Sequence, residues 1–109
     1  MFKSGKVYKI VSPNTDRVYI GCTRKPLRKR LKQHVLAYKS YQKGSGSYVS
    51  SFDLVKQEFY KIELLEHLPK ANRKMLLEAE SKYINSHDNC VNIRQNKMRK
   101  IKDDSDNNT

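Results

Sequence analysis

The chain has 109 residues, 23 of them basic and 11 acidic, for a net charge of +12. That length holds one domain with a small core. It has no apolar run of membrane-spanning length and no apolar leader segment, so a soluble, intracellular protein is expected; two cysteines, Cys22 and Cys90, are too few for a disulfide framework and read as reduced thiols.

Residues 1–5 are a short lead. Two strands are predicted over 6–12 and 17–21, because Val7, Ile10, Val11, Val18, Tyr19 and Ile20 are β-branched or aromatic. Ser12-Pro13-Asn14-Thr15-Asp16 between them is turn chemistry, and Gly21 reads as the end of the second strand. A helix follows to about Ser40. Pro26 suits its first turn, and Leu27, Leu31, Val35 and Tyr38 recur at three- and four-residue steps. The Gly- and Ser-rich stretch 42–47 is a loop, open between lying along bound DNA and serving as a solvated connector. Ser50 or Ser51 is placed to cap a short helix from Phe52 to about Gln57.

Over 59–68, Tyr60, Ile62 and Leu64 alternate with Lys61 and Glu63, which predicts a third strand with one buried face, broken by Leu68-Pro69. A second long helix is predicted from Asn72 to Ser86, with Met75 or Leu76, Ala79, Tyr83 and Ile84 on its apolar side. Val91-Asn92-Ile93 reads as a short extended return. Residues 1–94 form the domain; 95–109 are polar and predicted disordered. The order β-β-α-α-β-α makes the fold α+β, a small antiparallel sheet covered by helices.

The charge is unevenly placed. No acidic residue occurs between Asp16 and Asp53, an interval that holds Arg17, Arg24, Lys25, Arg28, Lys29, Arg30, Lys32, Lys39 and Lys43. A field of one sign attracts polyanions, and nucleic acid is the expected partner. Arg24, Lys25, Arg28, Lys29, Lys32, Lys39 and Lys43 are the candidate phosphate contacts. Tyr8 and Tyr19 lie eleven residues apart on paired strands, so both hydroxyls are expected on one face.

Lys6-Val7-Tyr8, Tyr19-Ile20-Gly21, Arg30, Glu80 and Asn92 occur in an order that resembles the core of the GIY-YIG nuclease family across roughly residues 5–94. That family carries two tripeptides on neighbouring strands, an Arg on the first helix, a Glu on a later helix, then an Asn. The first tripeptide here keeps only its Tyr; the second is complete. The resemblance implies a central three-stranded antiparallel sheet flanked by helices and a metal-dependent DNA endonuclease. Tyr8 would take the proton of the attacking water. Tyr19 would orient that water or a phosphate oxygen, and Arg30 would hold the scissile phosphate bidentately. Glu80 would bind Mg²⁺ or Mn²⁺, the ion keeping much of its hydration. Asn92 would orient the metal's water or, in a support role, tie the C-terminal segment to the site.

His34, one turn beyond Arg30 on the same helix face, is placed to bond a phosphate oxygen or help activate water. Arg28 competes with Arg30, and Glu78 with Glu80, though Glu78 points to another side of its helix. A phenol with a free pKa of about 10 needs nearby cations to act as a base, and the basic helix is expected to supply them. His87 and Cys90 do not make a zinc site, and no Gly-rich phosphate loop is present. DNA, duplex or branched, is the expected partner, and a monomer is favoured. A nucleic-acid-binding module on the same fold, without catalysis, is the alternative left open by Lys6-Val7. If about four to six phosphates are engaged, a plot of log K for DNA against log salt should have a slope of about −4 to −5. A slope near zero would remove the basic interval as the binding surface.

Overall fold

The computed structural model describes residues 3–92. Its elements are β1 (Lys3–Ser12), β2 (Thr15–Thr23), α1 (Leu27–Gln42), α2 (Phe52–Val55), β3 (Lys61–Ala71) and α3 (Arg73–Ser86). The strands form one antiparallel sheet in the order β2-β1-β3, so the α+β class and the three-stranded sheet expected from the sequence are the ones observed. Residues 95–109, expected to be disordered, lie outside the described residues.

β1 is central because both of its faces are apolar. Its alternation sends Tyr8 and Ile10 to one side and Val7 to the other, and all three are fully buried. Tyr8 and Ile10 pack with Phe52, Leu54 and Val55 under α1 and α2, with Leu27, Leu31, Val35 and Tyr38 of α1 closing over them. Val7 packs with Val18, Ile20 and Ile84 under α3. The sheet is therefore the middle of three layers. On α3 the inward positions are Leu76 and Ile84, while Met75 and Leu77 are exposed. Asn72 begins this helix as an N-cap whose side chain accepts from the Met75 amide at 2.8 Å.

Several local expectations are corrected. β3 does not break at Leu68-Pro69 but runs to Ala71. It is an edge strand, and Pro69 falls where the pairing shifts between Gly5–Leu68 and Lys3–Ala71, a place that needs no N–H from proline. The alternation of Tyr60, Ile62 and Leu64 is interrupted as well. Val7 pairs with Glu66 and Tyr8 with Leu64, so Leu65 is an extra residue; it packs on the α3 side while Leu64 stays exposed. α2 stops at Val55, and Ser51, its N-cap residue, makes no side-chain capping bond. The expected return at 91–93 is an isolated parallel bridge between Val18 and Cys90, and Ile93 lies outside the described residues.

Gly21 does not end β2, which continues to Thr23; it sits inside the strand directly opposite Tyr8. A Cβ at this position would stand 2.5 Å from Tyr8 Oη and 2.7 Å from Cζ. The missing side chain is the space across which the Tyr8 ring lies. Gly21→Ala should cost about 1–3 kcal/mol through overpacking, measured by urea denaturation, and should displace the phenol. A variant that unfolds with the wild-type midpoint would mean that the ring has other room to move.

Candidate active site

The sheet face beneath α1 brings together four of the predicted residues, Tyr8, Tyr19, Arg30 and His34. Tyr8 and Tyr19 share that face, with ring centroids 6.4 Å apart. α1 crosses above them and presents Arg30 and, one turn on, His34. His34 is buried; its Nε2 lies 2.8 Å from Tyr8 Oη, and its ring meets that of Tyr19 edge-on at 5.3 Å. Arg30 donates from Nε to Tyr8 Oη at 3.2 Å and from Nη1 to Gln33 Oε1 at 3.1 Å. Arg30 therefore faces the Tyr8 hydroxyl, while Arg28 is exposed.

Glu80 comes from α3, on the opposite side of the sheet, where it stands beside Cys22. It accepts a hydrogen bond from the Cys22 thiol, and its charge acts on Tyr8 and Tyr19. Glu78 is exposed in a shallow groove on the outer side of α3 with Lys74, Leu77 and Lys82. Of the two carboxylates, Glu80 is the one whose charge acts on Tyr8 and Tyr19. No group of three His, Cys, Asp or Glu side chains able to hold a metal ion occurs among the described residues. Glu80 by itself offers one half-buried, hard oxygen donor beside Cys22. That fits Mg²⁺ or Mn²⁺, which can take most of their ligands from water and phosphate.

Asn92 has both ends of its amide committed. Its Oδ1 accepts from Ile20 N at 2.8 Å, its Nδ2 donates to Ile20 O at 2.7 Å, and the Cys90 thiol donates to Oδ1 at 2.9 Å. It clamps the backbone of the second tripeptide at Ile20. Among the basic residues, Arg24 is tied to the fold: its guanidinium donates to the carbonyls of Lys3, Ser4 and Ala71. Arg28, Lys29, Lys32, Lys39 and Lys43 are exposed, and none has an ion-pair partner within 4 Å among the described residues. The first turn of α1 holds no acidic residue. Arg28, Lys29 and Arg30 there add to the positive end of the helix dipole, an arrangement that favours an anion at some cost in helix stability.

Burial decides the electrostatics. Tyr8 is pushed above the usual phenol range by burial, which outweighs the opposing charge and hydrogen bond of Arg30; the expectation that cations would lower it is corrected. Tyr19 is pushed higher still, again mainly by burial and then by Tyr8 and Glu80. Cys22 is raised to about 11 by burial and by Glu80. His34 is lowered to about 4 by burial and the Arg30 charge, so it is neutral at ordinary pH.

The profile of the GIY-YIG catalytic domain matches residues 4–97. The chain belongs to the GIY-YIG family. It therefore carries a nuclease-type catalytic domain, and a nucleic-acid substrate follows from the class. No curated protein and no solved structure matches the chain significantly. Among the described residues no helix is long and apolar enough to cross a membrane.

Two contributors escape a reading of the sequence. Arg73, whose charge acts on Cys22, lies seven residues before Glu80 and thus two turns back on the same helix face, a spacing that could have flagged it. Ser51, 2.9 Å from His34 Nδ1, belongs to a separate segment and carries no such signal.

The depressed His34 gives a pH signature. In the unfolded chain this group takes up its proton near 6.5, in the folded protein near 4. Between those values the unfolded state binds more protons, so stability is complete above pH 6.5 and is lost as pH falls toward 4, a contribution of about 3 kcal/mol. Urea denaturation across this window should give a shallower pH dependence for His34→Gln than for the wild type. Equal slopes would mean that His34 is charged in the fold.

Proposed function

We propose that this GIY-YIG domain is a DNA endonuclease in which Tyr8, paired with His34, is the base. The observation that carries this reading is the buried Tyr8 hydroxyl, bonded to His34 Nε2 at 2.8 Å and to Arg30 Nε at 3.2 Å. The three groups needed for phosphodiester hydrolysis are a proton acceptor for water, cationic donors for the phosphate, and a carboxylate able to hold a metal. Tyr8 on β1, Arg30 and His34 on α1 and Glu80 on α3 are the groups that support this reading.

Tyr8 takes the proton of the attacking water. Its phenol is neutral at ordinary pH, so its own proton must have somewhere to go, and neutral His34 at Nε2 is the acceptor in contact. Arg30 meets the non-bridging phosphate oxygens with its planar set of N–H donors, which strengthen as charge builds in the transition state. Tyr19 orients the water or a phosphate oxygen beside Tyr8. Glu80 holds the divalent ion, Mg²⁺ or Mn²⁺, which when bound supplies positive charge to the phosphate and the departing oxygen. Asn92 keeps β2, and with it Tyr19 and Gly21, in register. Lys25, Arg28, Lys29, Lys32, Lys39 and Lys43 hold DNA through its phosphates without reading sequence; Arg24, bound to three carbonyls, contributes field more than contact.

Single-turnover nicking of plasmid, fork and flap DNA with Mg²⁺, alongside an EDTA control, tests the reading. Tyr8→Phe should lose about 10²- to 10⁴-fold in rate with DNA affinity kept. Arg30→Lys should lose about 10²-fold and Arg28→Lys little, because lysine keeps the charge but not the fork. Glu80→Ala should abolish metal-stimulated cleavage, and Glu78→Ala should not. Tight DNA binding with no cleavage of any substrate would convert the assignment to a binding module.

A further inference from the structure

Ser51 occupies the N-cap of α2, a position where a serine hydroxyl ordinarily accepts a backbone N–H. It does not do so here. The amides of Leu54 and Val55 bond to the Ser51 carbonyl, while the hydroxyl lies 2.9 Å from His34 Nδ1. Ser51 is fully buried.

Donor and acceptor accounting fixes what passes along this line. The Tyr8 O–H is fully buried and needs an acceptor. Among the described residues its hydroxyl has two partners, Arg30 Nε and His34 Nε2. A guanidinium nitrogen only donates. The phenol therefore donates to Nε2, which must carry a lone pair. A neutral imidazole holds one ring proton; with Nε2 bare it sits on Nδ1, and Nδ1–H donates to Ser51 Oγ.

We propose that Ser51 is a positioning residue of the active site: by accepting the hydrogen bond of His34 Nδ1–H, it holds the imidazole in the one tautomer whose Nε2 can receive the proton of Tyr8 during cleavage. This deepens the reading of Tyr8 as the base and rests on it. As the water oxygen bonds to phosphorus, one water O–H breaks and its proton joins Tyr8 Oη. Tyr8 gives its own proton to His34 Nε2. The phosphorus–oxygen bond to the leaving group breaks with its electron pair, and the departing oxygen is protonated from solvent. His34 becomes an imidazolium with Nδ1–H still on Ser51, then returns the Nε2 proton through Tyr8 to solvent. In the other tautomer Nε2–H faces Tyr8, the phenol proton has no acceptor, and the transfer is blocked.

The test combines ¹⁵N NMR of the His34 ring in the full chain with single-turnover cleavage by Ser51→Ala, Ser51→Thr and Tyr8→Phe. The wild type should show a pyridine-type Nε2 and a pyrrole-type Nδ1. Ser51→Ala should mix or invert these, and should slow cleavage by about 10- to 100-fold with DNA affinity kept. Ser51→Thr should restore the tautomer and most of the rate. A wild-type ring protonated on Nε2 overturns the proposal, as does a Ser51→Ala protein that keeps either the tautomer or the rate. If Ser51→Ala does not fold, the wild-type ring resonances decide alone. Unimpaired cleavage by Tyr8→Phe would instead sink the assignment of the base, a failure the ring spectrum distinguishes from a failure at Ser51.

Discussion

The Tyr8 hydroxyl is buried between an imidazole that accepts from it and a guanidinium that donates to it, and the surrounding fold is arranged to make that burial tolerable. A phenol on the middle strand of a sheet needs lateral room, and Gly21 on the neighbouring strand leaves it. Its oxygen needs polar partners in an otherwise apolar layer, because an unsatisfied buried hydroxyl is expensive. α1 supplies both from one face, Arg30 at the rim and His34 a turn deeper. That fixes where α1 crosses the sheet, and its Leu27, Leu31, Val35 and Tyr38 pack accordingly.

The positive end of α1 carries a second tension. Arg28, Lys29 and Arg30 crowd a first turn with no acidic residue, against the preference of a helix dipole for negative charge there. The local rule is broken at the place proposed to receive a phosphate, which is where violations of consistency are expected. The same Arg30 charge helps keep His34 neutral. A phosphate bound to Arg30 would offset that charge, so the substrate itself would make the imidazole a better proton acceptor when one is needed.

Much of this was legible in the sequence because it rests on two periodicities. A period of two places Tyr8 and Tyr19 on a common face of paired strands. A four-residue step aligns Arg30 with His34, and a two-residue offset separates Glu78 from Glu80 around α3. What escaped depended on contacts between segments. Pro69 reads as a strand breaker until β3 is known to be an edge, and the alternation of Ile62 and Leu64 misleads because Leu65 is an extra residue in the ladder. Ser51 has the chemistry of a helix cap, and only the packing of α2 under α1 turns its hydroxyl to His34. The direction of the Tyr8 shift followed from burial, which a count of neighbouring cations does not measure. Arg24 belonged by sequence to the basic surface and by structure to the ends of β1 and β3.

Among the described residues β2 has no strand on its outer side, yet its middle is not left open. Val18 N donates to Asn89 O, Val91 N donates to Val18 O, and the Asn92 side chain occupies both polar groups of Ile20. A few residues following α3 thereby act as a partial fourth strand, finished by an amide that imitates a peptide group. An unprotected edge is a template for pairing with other chains. Removing this seal would leave the backbone that carries Tyr19 free to recruit a neighbour, so the segment that holds β2 in place also guards the molecule against self-association through its own sheet.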